Sequence, residues 1–332
     1  MTLLKVEDLT LQFDTDEGRV TCVDGVSFEV NAGEVLGVVG ESGSGKSITA
    51  KSIMHLNPQN TVYGEDSRIK LSLDDGVIDV LSLKKDREME VVRGGAVSMI
   101  FQEPMASFAP AITIGEQMTE QLLIHQNISK KEAVNISIEM LERVGISDAP
   151  HRFKQYAFEL SGGMRQRAMI AMALSTSPKL LIADEPTTAL DVTIQAQVID
   201  LMKDLVEDFG MGIIFITHDL GVIAQTVDRV AVMYLGNIVE QGPVRDVIRD
   251  PAHPYTQGLL DALPKLDDLD LPLMPVPGDI PSPLERPSGC VFHTRCSRAE
   301  PRCSQSTPKM TEFAENHYGA CFVEAEKRGA SA

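Results

Sequence analysis

The chain has 332 residues, 43% of them hydrophobic and 23% charged, which suits one large soluble domain or two modest ones. Thirty basic against forty-eight acidic residues leave a net charge of −18, which argues against sequence-independent binding to nucleic acid or anionic lipid. No apolar run approaches the ~20 residues that span a bilayer, and the first eight residues lack a signal-peptide pattern, so a cytoplasmic chain is expected.

Short strands are predicted first: Val6 to Phe13, a polar turn from Asp14 to Gly18, then Val20 to Val30. Phe13 is a candidate platform for stacking an adenine ring, with plain core packing as the alternative. The apolar run Val35-Leu36-Gly37-Val38-Val39 reads as a strand buried on both faces. It runs into Gly40-Glu41-Ser42-Gly43-Ser44-Gly45-Lys46-Ser47, which fits G-x-x-x-x-G-K-[S/T], and Ile48 to Leu56 reads as a helix that stops at Pro58. In such a loop Gly40, Ser42, Gly43 and Gly45 let backbone N–H groups cradle phosphate oxygens at a helix start. Lys46 reaches the β- and γ-phosphates, and the Ser47 hydroxyl can ligate Mg²⁺. Strand, loop and helix together mark a nucleotide site.

Residues 61–83 alternate around Asp74-Asp75-Gly76 and predict a hairpin. Val97-Ser98-Met99-Ile100-Phe101 is a strand that delivers Gln102. From Ile114 to Val144 the pattern turns helical, with a capping box at Ser129-Lys130-Lys131-Glu132 and a face of Ala133, Ile136, Met140 and Val144. Leu160-Ser161-Gly162-Gly163-Met164-Arg165-Gln166-Arg167 leads into a helix through Leu174. Leu180 to Ala183 is a buried strand that ends in Asp184-Glu185, and a helix follows Asp191. Ile213 to Thr217 is the next strand, with His218 at its tip. Strands alternating with helices imply a parallel sheet with ligands at strand C-terminal ends, where the phosphate loop, Gln102, Asp184 and His218 all fall.

After Gly242 prolines multiply, predicting a tail with little regular structure. Four of the five cysteines, Cys290, Cys296, Cys303 and Cys321, lie in this tail, and in a cytoplasmic chain such clustering favours a metal or cluster site over disulfides. Cys22 stands alone in a strand and is expected to be a small core residue.

Leu-Ser-Gly-Gly-x-x-Gln-Arg between a phosphate loop and a strand ending in Asp-Glu resembles the ATP-binding cassette (ABC) ATPases, over residues 1 to about 240. The resemblance implies an α/β fold: a RecA-like P-loop core with an antiparallel β subdomain and a helical insertion at about 103–175, the whole spanning 1–245. It implies that Asp184 holds Mg²⁺, that Glu185 is the general base, and that Gln102 touches Mg²⁺ or the attacking water. His218 resembles the family's switch histidine. Ser161, Gly162 and Gly163 would close over the phosphate loop of a second cassette in a head-to-tail pair, with Asp191 at the junction.

His253-Pro254-Tyr255-Thr256-Gln257-Gly258-Leu259-Leu260, Pro277-Gly278-Asp279-Ile280-Pro281-Ser282-Pro283 and Gly289-Cys290-Val291-Phe292-His293-Thr294-Arg295-Cys296 resemble the C-terminal extension of oligopeptide/dipeptide importer ATPases, D-type subunit. The extension is placed at 246–332. The resemblance implies an ATPase peripheral to the cytoplasmic face of the membrane. Its expected partners are a second ATPase (F-type, or a second copy), two permeases and, indirectly, an extracytoplasmic solute-binding protein. Peptides are the expected cargo, with oligosaccharides or nickel as alternatives. A soluble ABC ATPase acting on nucleic acid or ribosomes is the rival of a different class, and the acidity opposes it. For the four thiols the resemblance favours a 4Fe–4S cluster, with zinc second and disulfides last; His293 is not expected to be a ligand.

Overall fold

A computed structural model of the chain describes residues 1–103, 107–187, 192–263 and 275–330. The first half carries β1 (Thr2–Thr15), β2 (Gly18–Asn31), β3 (Val35–Val39), α1 (Lys46–Ile53), β4 (Thr61–Tyr63), β5 (Arg68–Leu73), β6 (Gly76–Asp79), α2 (Asp86–Met89), β7 (Val97–Ile100), α3 (Ile114–His125), α4 (Lys130–Arg143) and α5 (Ala149–Arg152). There follow α6 (Gly162–Ser175), β8 (Leu180–Asp184), α7 (Val192–Phe209), β9 (Gly212–Thr217), α8 (Leu220–Thr226), β10 (Arg229–Tyr234) and β11 (Asn237–Pro243). The last elements are α9 (Val244–Arg249), α10 (Pro254–Asp261), α11 (Pro301–Gln305), β12 (Thr311–Ala314), β13 (His317–Gly319) and α12 (Phe322–Lys327).

Two compact units are formed. The first comprises Met1–Leu4, Val30–Val35 and Leu71–Ile216. In it β7, β8 and β9 pair in parallel, from Val97↔Leu180 to Ile100↔Ala183 and from Leu180↔Gly212 to Asp184↔Ile216. All five residues of β8 are buried, as expected of a parallel strand covered on both faces. Helix α6 packs on β7, α4 on α6, and α3 on α4. Both α3 and α4 start from capping boxes. At α4 the Ser129 hydroxyl accepts from the Glu132 N–H at 3.3 Å, while the Glu132 carboxylate accepts from the Ser129 N–H at 2.8 Å. The predicted hairpin is present as β5, the Asp74-Asp75 turn and β6.

The second unit comprises Lys5–Glu29, Leu36–Lys70 and Thr217–Ala332. Here β10 pairs in parallel with β3, from Arg229↔Leu36 to Val232↔Val39, and antiparallel with β11. β1 lies between β2 and β5, with β4 antiparallel on β1. Leu9, Leu11, Val23, Ile53 and Ile69 are fully buried in this unit.

The tail is more regular than its prolines predict. Pro254 and Pro301 sit in the first turns of α10 and α11, where a missing N–H and a fixed φ help a helix start rather than break it. β13 adds to β11 through Glu240↔Gly319 and Gln241↔Tyr318, and β12 adds to β13. The junction is pinned by Glu240, 0% exposed. Its carboxylate accepts from the backbone N–H groups of Ala252 (2.7 Å) and His253 (2.9 Å) and from His317 Nε2 (2.7 Å). Among the described residues no helix is long and apolar enough to cross a membrane.

Candidate functional site

The phosphate loop occupies the turn between β3 and α1, in the second unit. Glycine is required at its first position, because a Cβ on Gly40 would stand 2.1 Å from the Met233 carbonyl oxygen. Gly45 caps α1 in a left-handed conformation (φ 98°), and a Cβ there would meet the Cys22 carbonyl at 2.9 Å. Lys46 is buried. Its ammonium donates to the Gly40 and Glu41 carbonyls (2.7 and 2.9 Å) and to Ser44 Oγ (3.3 Å), so it spans the loop. The Ser44 N–H closes the turn onto the Glu41 carbonyl at 3.2 Å, and the Gly236 N–H holds the Ser44 carbonyl at 2.9 Å. Ser47 follows in the first turn of α1.

Three further predicted residues share this unit. His218 is exposed directly after β9, where the Asp219 N–H donates to Thr217 Oγ1 (3.0 Å) and the Asp219 carboxylate caps α8. Phe13 is half-buried on β1, opposite Thr61 of β4. Cys22 is half-buried rather than a core residue, because it lies where β2 passes the loop, and burial raises its thiol pKa.

In the first unit the structure brings Gln102 and Glu185 together, with Gln102 Nε2 donating to the Glu185 carboxylate at 3.1 Å. Asp184, 3% exposed, ends β8. Glu185 turns out of the strand in a left-handed conformation (φ 50°), held by its N–H to the Ile216 carbonyl at 3.0 Å. Ser161 is the N-cap of α6, its hydroxyl accepting from the Met164 N–H at 3.3 Å, and Gly162 and Gly163 begin the helix. Gln166, 1% exposed, donates to the Pro186 carbonyl and so ties α6 to the segment after Glu185. Asp191 lies outside the described residues.

The four tail cysteines line one small cavity in the second unit, together with His253, Pro254, Phe292, His293 and Val323 among others. Burial pushes the Cys290 thiol up to about 11 and also raises Cys296 and Cys321. Backbone N–H groups already address these sulfurs: Arg298 donates to Cys296 Sγ at 3.4 Å, Phe292 to Cys290, and Val323 and Glu324 to Cys321. His293 turns its Nδ1 to the Cys290 carbonyl at 2.9 Å. Among the described residues no group of three or more His, Cys, Asp or Glu side chains is arranged to hold a metal ion.

Sequence reasoning missed the contacts between the extension and the phosphate loop. Arg295, between Cys290 and Cys296, forms a two-pronged pair with the Glu41 carboxylate (2.7 and 3.1 Å), and the Tyr255 hydroxyl accepts from the Glu41 N–H at 2.8 Å. The family blocks contain Tyr255 and Arg295, but no local pattern announces partners more than two hundred positions away.

Comparison with known proteins agrees with this arrangement. The family described as "ABC transporter" matches residues 23–188, and "Oligopeptide/dipeptide transporter, C-terminal region" matches 239–303. The oligopeptide transport ATP-binding protein AppD of Bacillus subtilis is 48% identical over 326 residues, covering 98% of either chain. OppD of Escherichia coli is 47% identical over 98% of this chain and 94% of its own. Among solved structures, the dimeric bacterial ABC transporter cassette MJ0796 superposes with a TM-score of 0.65 at 25% identity, covering 73% of this chain and 99% of that one. With relatives this similar over nearly its whole length, the chain belongs to the ABC transporter ATP-binding proteins of the oligopeptide/dipeptide family.

Proposed function

We propose that the chain hydrolyses ATP to drive a binding-protein-dependent importer of oligopeptides or dipeptides. One observation carries this reading: the likeness to peptide-transport ATP-binding proteins runs through both the cassette and the extension, at 48% identity to AppD. In functional terms residues 1–245 form the cassette, with its helical part at about 103–175, and 246–332 form the extension.

The residues divide the chemistry as follows. Lys46 and the loop from Gly40 through Ser42, Gly43 and Gly45 bind the phosphates, and Phe13 stacks the base. Ser47, Asp184 and the Gln102 amide oxygen offer the hard donors that suit Mg²⁺, whose chemistry is to neutralise charge on the β- and γ-phosphates. Gln102 can serve in this way because its Nε2 is already committed to Glu185. Glu185 takes the proton of the attacking water, oriented by that same amide, and His218 senses the γ-phosphate. Ser161, Gly162, Gly163 and Asp191 act on the nucleotide of a second cassette, F-type or another copy. The dimeric form of MJ0796 supports such pairing. Two permease subunits and, through them, a solute-binding protein complete the assembly at the cytoplasmic membrane face. The charge of −18 speaks against nucleic acid as partner.

For the four thiols the likeness to the oligopeptide/dipeptide extension favours a 4Fe–4S cluster, with zinc second. They share one cavity, and backbone N–H groups point at three of the sulfurs, an environment that suits thiolate ligands. Such a group supplies a covalent staple for a segment with few apolar residues. Protein purified without oxygen is expected to carry iron and sulfide, both lost from Cys296→Ser; stoichiometric zinc without iron overturns the assignment.

Affinity purification from native membranes tests the function. Recovery of two permeases and a second cassette, with ATPase activity stimulated by a peptide-loaded binding protein, is the expected result. Ribosomal proteins in their place would refute it.

A further inference from the structure

Glu41 is the second residue of the phosphate loop, and each of its polar groups is engaged. The carbonyl accepts from Lys46 Nζ (2.9 Å) and from the Ser44 N–H (3.2 Å). The N–H and the carboxylate go to the extension, to Tyr255 and Arg295. Arg295 is itself fixed. Its side chain is 4% exposed, Nε donates to the Pro277 carbonyl (2.9 Å), and Nη2 donates to the Val276 carbonyl (3.1 Å). Its guanidinium also lies 5.7 Å from the centre of the Tyr234 ring.

Tyr255 is fully buried, with its ring 4.7 Å from Tyr234 and 5.4 Å from Phe292. Phe292 and His253 also line the cysteine cavity. One contiguous buried cluster therefore joins that cavity to the residue that shares Lys46's hydrogen bonds.

We infer that Arg295 and Tyr255 are positioning residues which hold Glu41, and through it the first half of the phosphate loop, in the conformation that binds nucleotide. The inference rests on the reading of Gly40–Ser47 as the nucleotide site. Its sign follows from charge. A carboxylate beside a phosphate site opposes a polyanion unless it is neutralised, and Arg295 neutralises Glu41 with both prongs of its guanidinium.

The test is equilibrium binding of radiolabelled ATP with Mg²⁺ to the full chain, with melting followed in parallel. Arg295→Met is expected to weaken ATP binding about tenfold, within the usual range of coupling between sites. Adding Glu41→Gln to Arg295→Met removes the unpaired carboxylate but not the loss of the fork, and recovers only the part of the loss due to charge, whereas Arg295→Lys, which keeps charge without the fork, falls between wild type and Arg295→Met.

Arg328→Met serves as the control. Arg328 pairs with Asp250 (2.7 and 2.8 Å) and Glu324 (2.9 Å) within the extension, so its loss lowers melting but leaves ATP affinity unchanged. Should Arg295→Met not fold, Tyr255→Phe decides, because it deletes only the oxygen that accepts from the Glu41 N–H and should also weaken binding. Equal ATP affinity in wild type and all folded variants overturns the inference, as does a double variant that is worse than Arg295→Met. A wild-type chain that binds no ATP would instead overturn the site reading beneath it.

Discussion

Glu185 occupies a left-handed backbone conformation that costs a non-glycine residue ~1 kcal/mol or more, and three features hold it there: strand β8, the bond to Ile216 and the Gln102 amide. Such strain is retained where a side chain must face one fixed direction. Glu185→Gln keeps the shape and the hydrogen bond but removes the base. Turnover by the assembled pair is expected to fall at least ~100-fold, while ATP-dependent pairing of cassettes persists. Phosphate release and size-exclusion chromatography read the two effects separately, and normal turnover would exclude Glu185 as the base. At this scale the sequence was most legible where chemistry is packed into adjacent positions. Gly40 to Ser47 and Ser161 to Gln166 declare themselves because fixed spacing is what a loop or a helix start needs. The partners of Glu41 did not, because an ion pair leaves no periodic trace in sequence.

Among the elements, the capping box of α4 is legible in the sequence, since the box is a four-residue pattern with a local cause. The order of the tail is hidden in the sequence because its strands are short. β12 has four residues and β13 three, too few to display alternation, and prolines at helix starts looked like breakers. What makes these short strands stable is the buried group beneath them. Glu240→Ala would strand His317 and the N–H groups of Ala252 and His253 without an acceptor, and is expected to cost about 3 kcal/mol of stability. Chemical denaturation measures this, and a loss under about 1 kcal/mol would mean that water replaces the carboxylate easily.

Across the whole molecule, β11 does not end the sheet of its unit. It would do so without β13, and its row of backbone N–H and C=O groups, including those of Glu240 and Gln241, would then face solvent. An open edge of that kind recruits strands from other molecules, whereas the four-residue strand that now stands outermost offers little to pair with. The hairpin of β12 and β13 thus guards against aggregation: a chain that lost it would precipitate before any defect in catalysis could be seen.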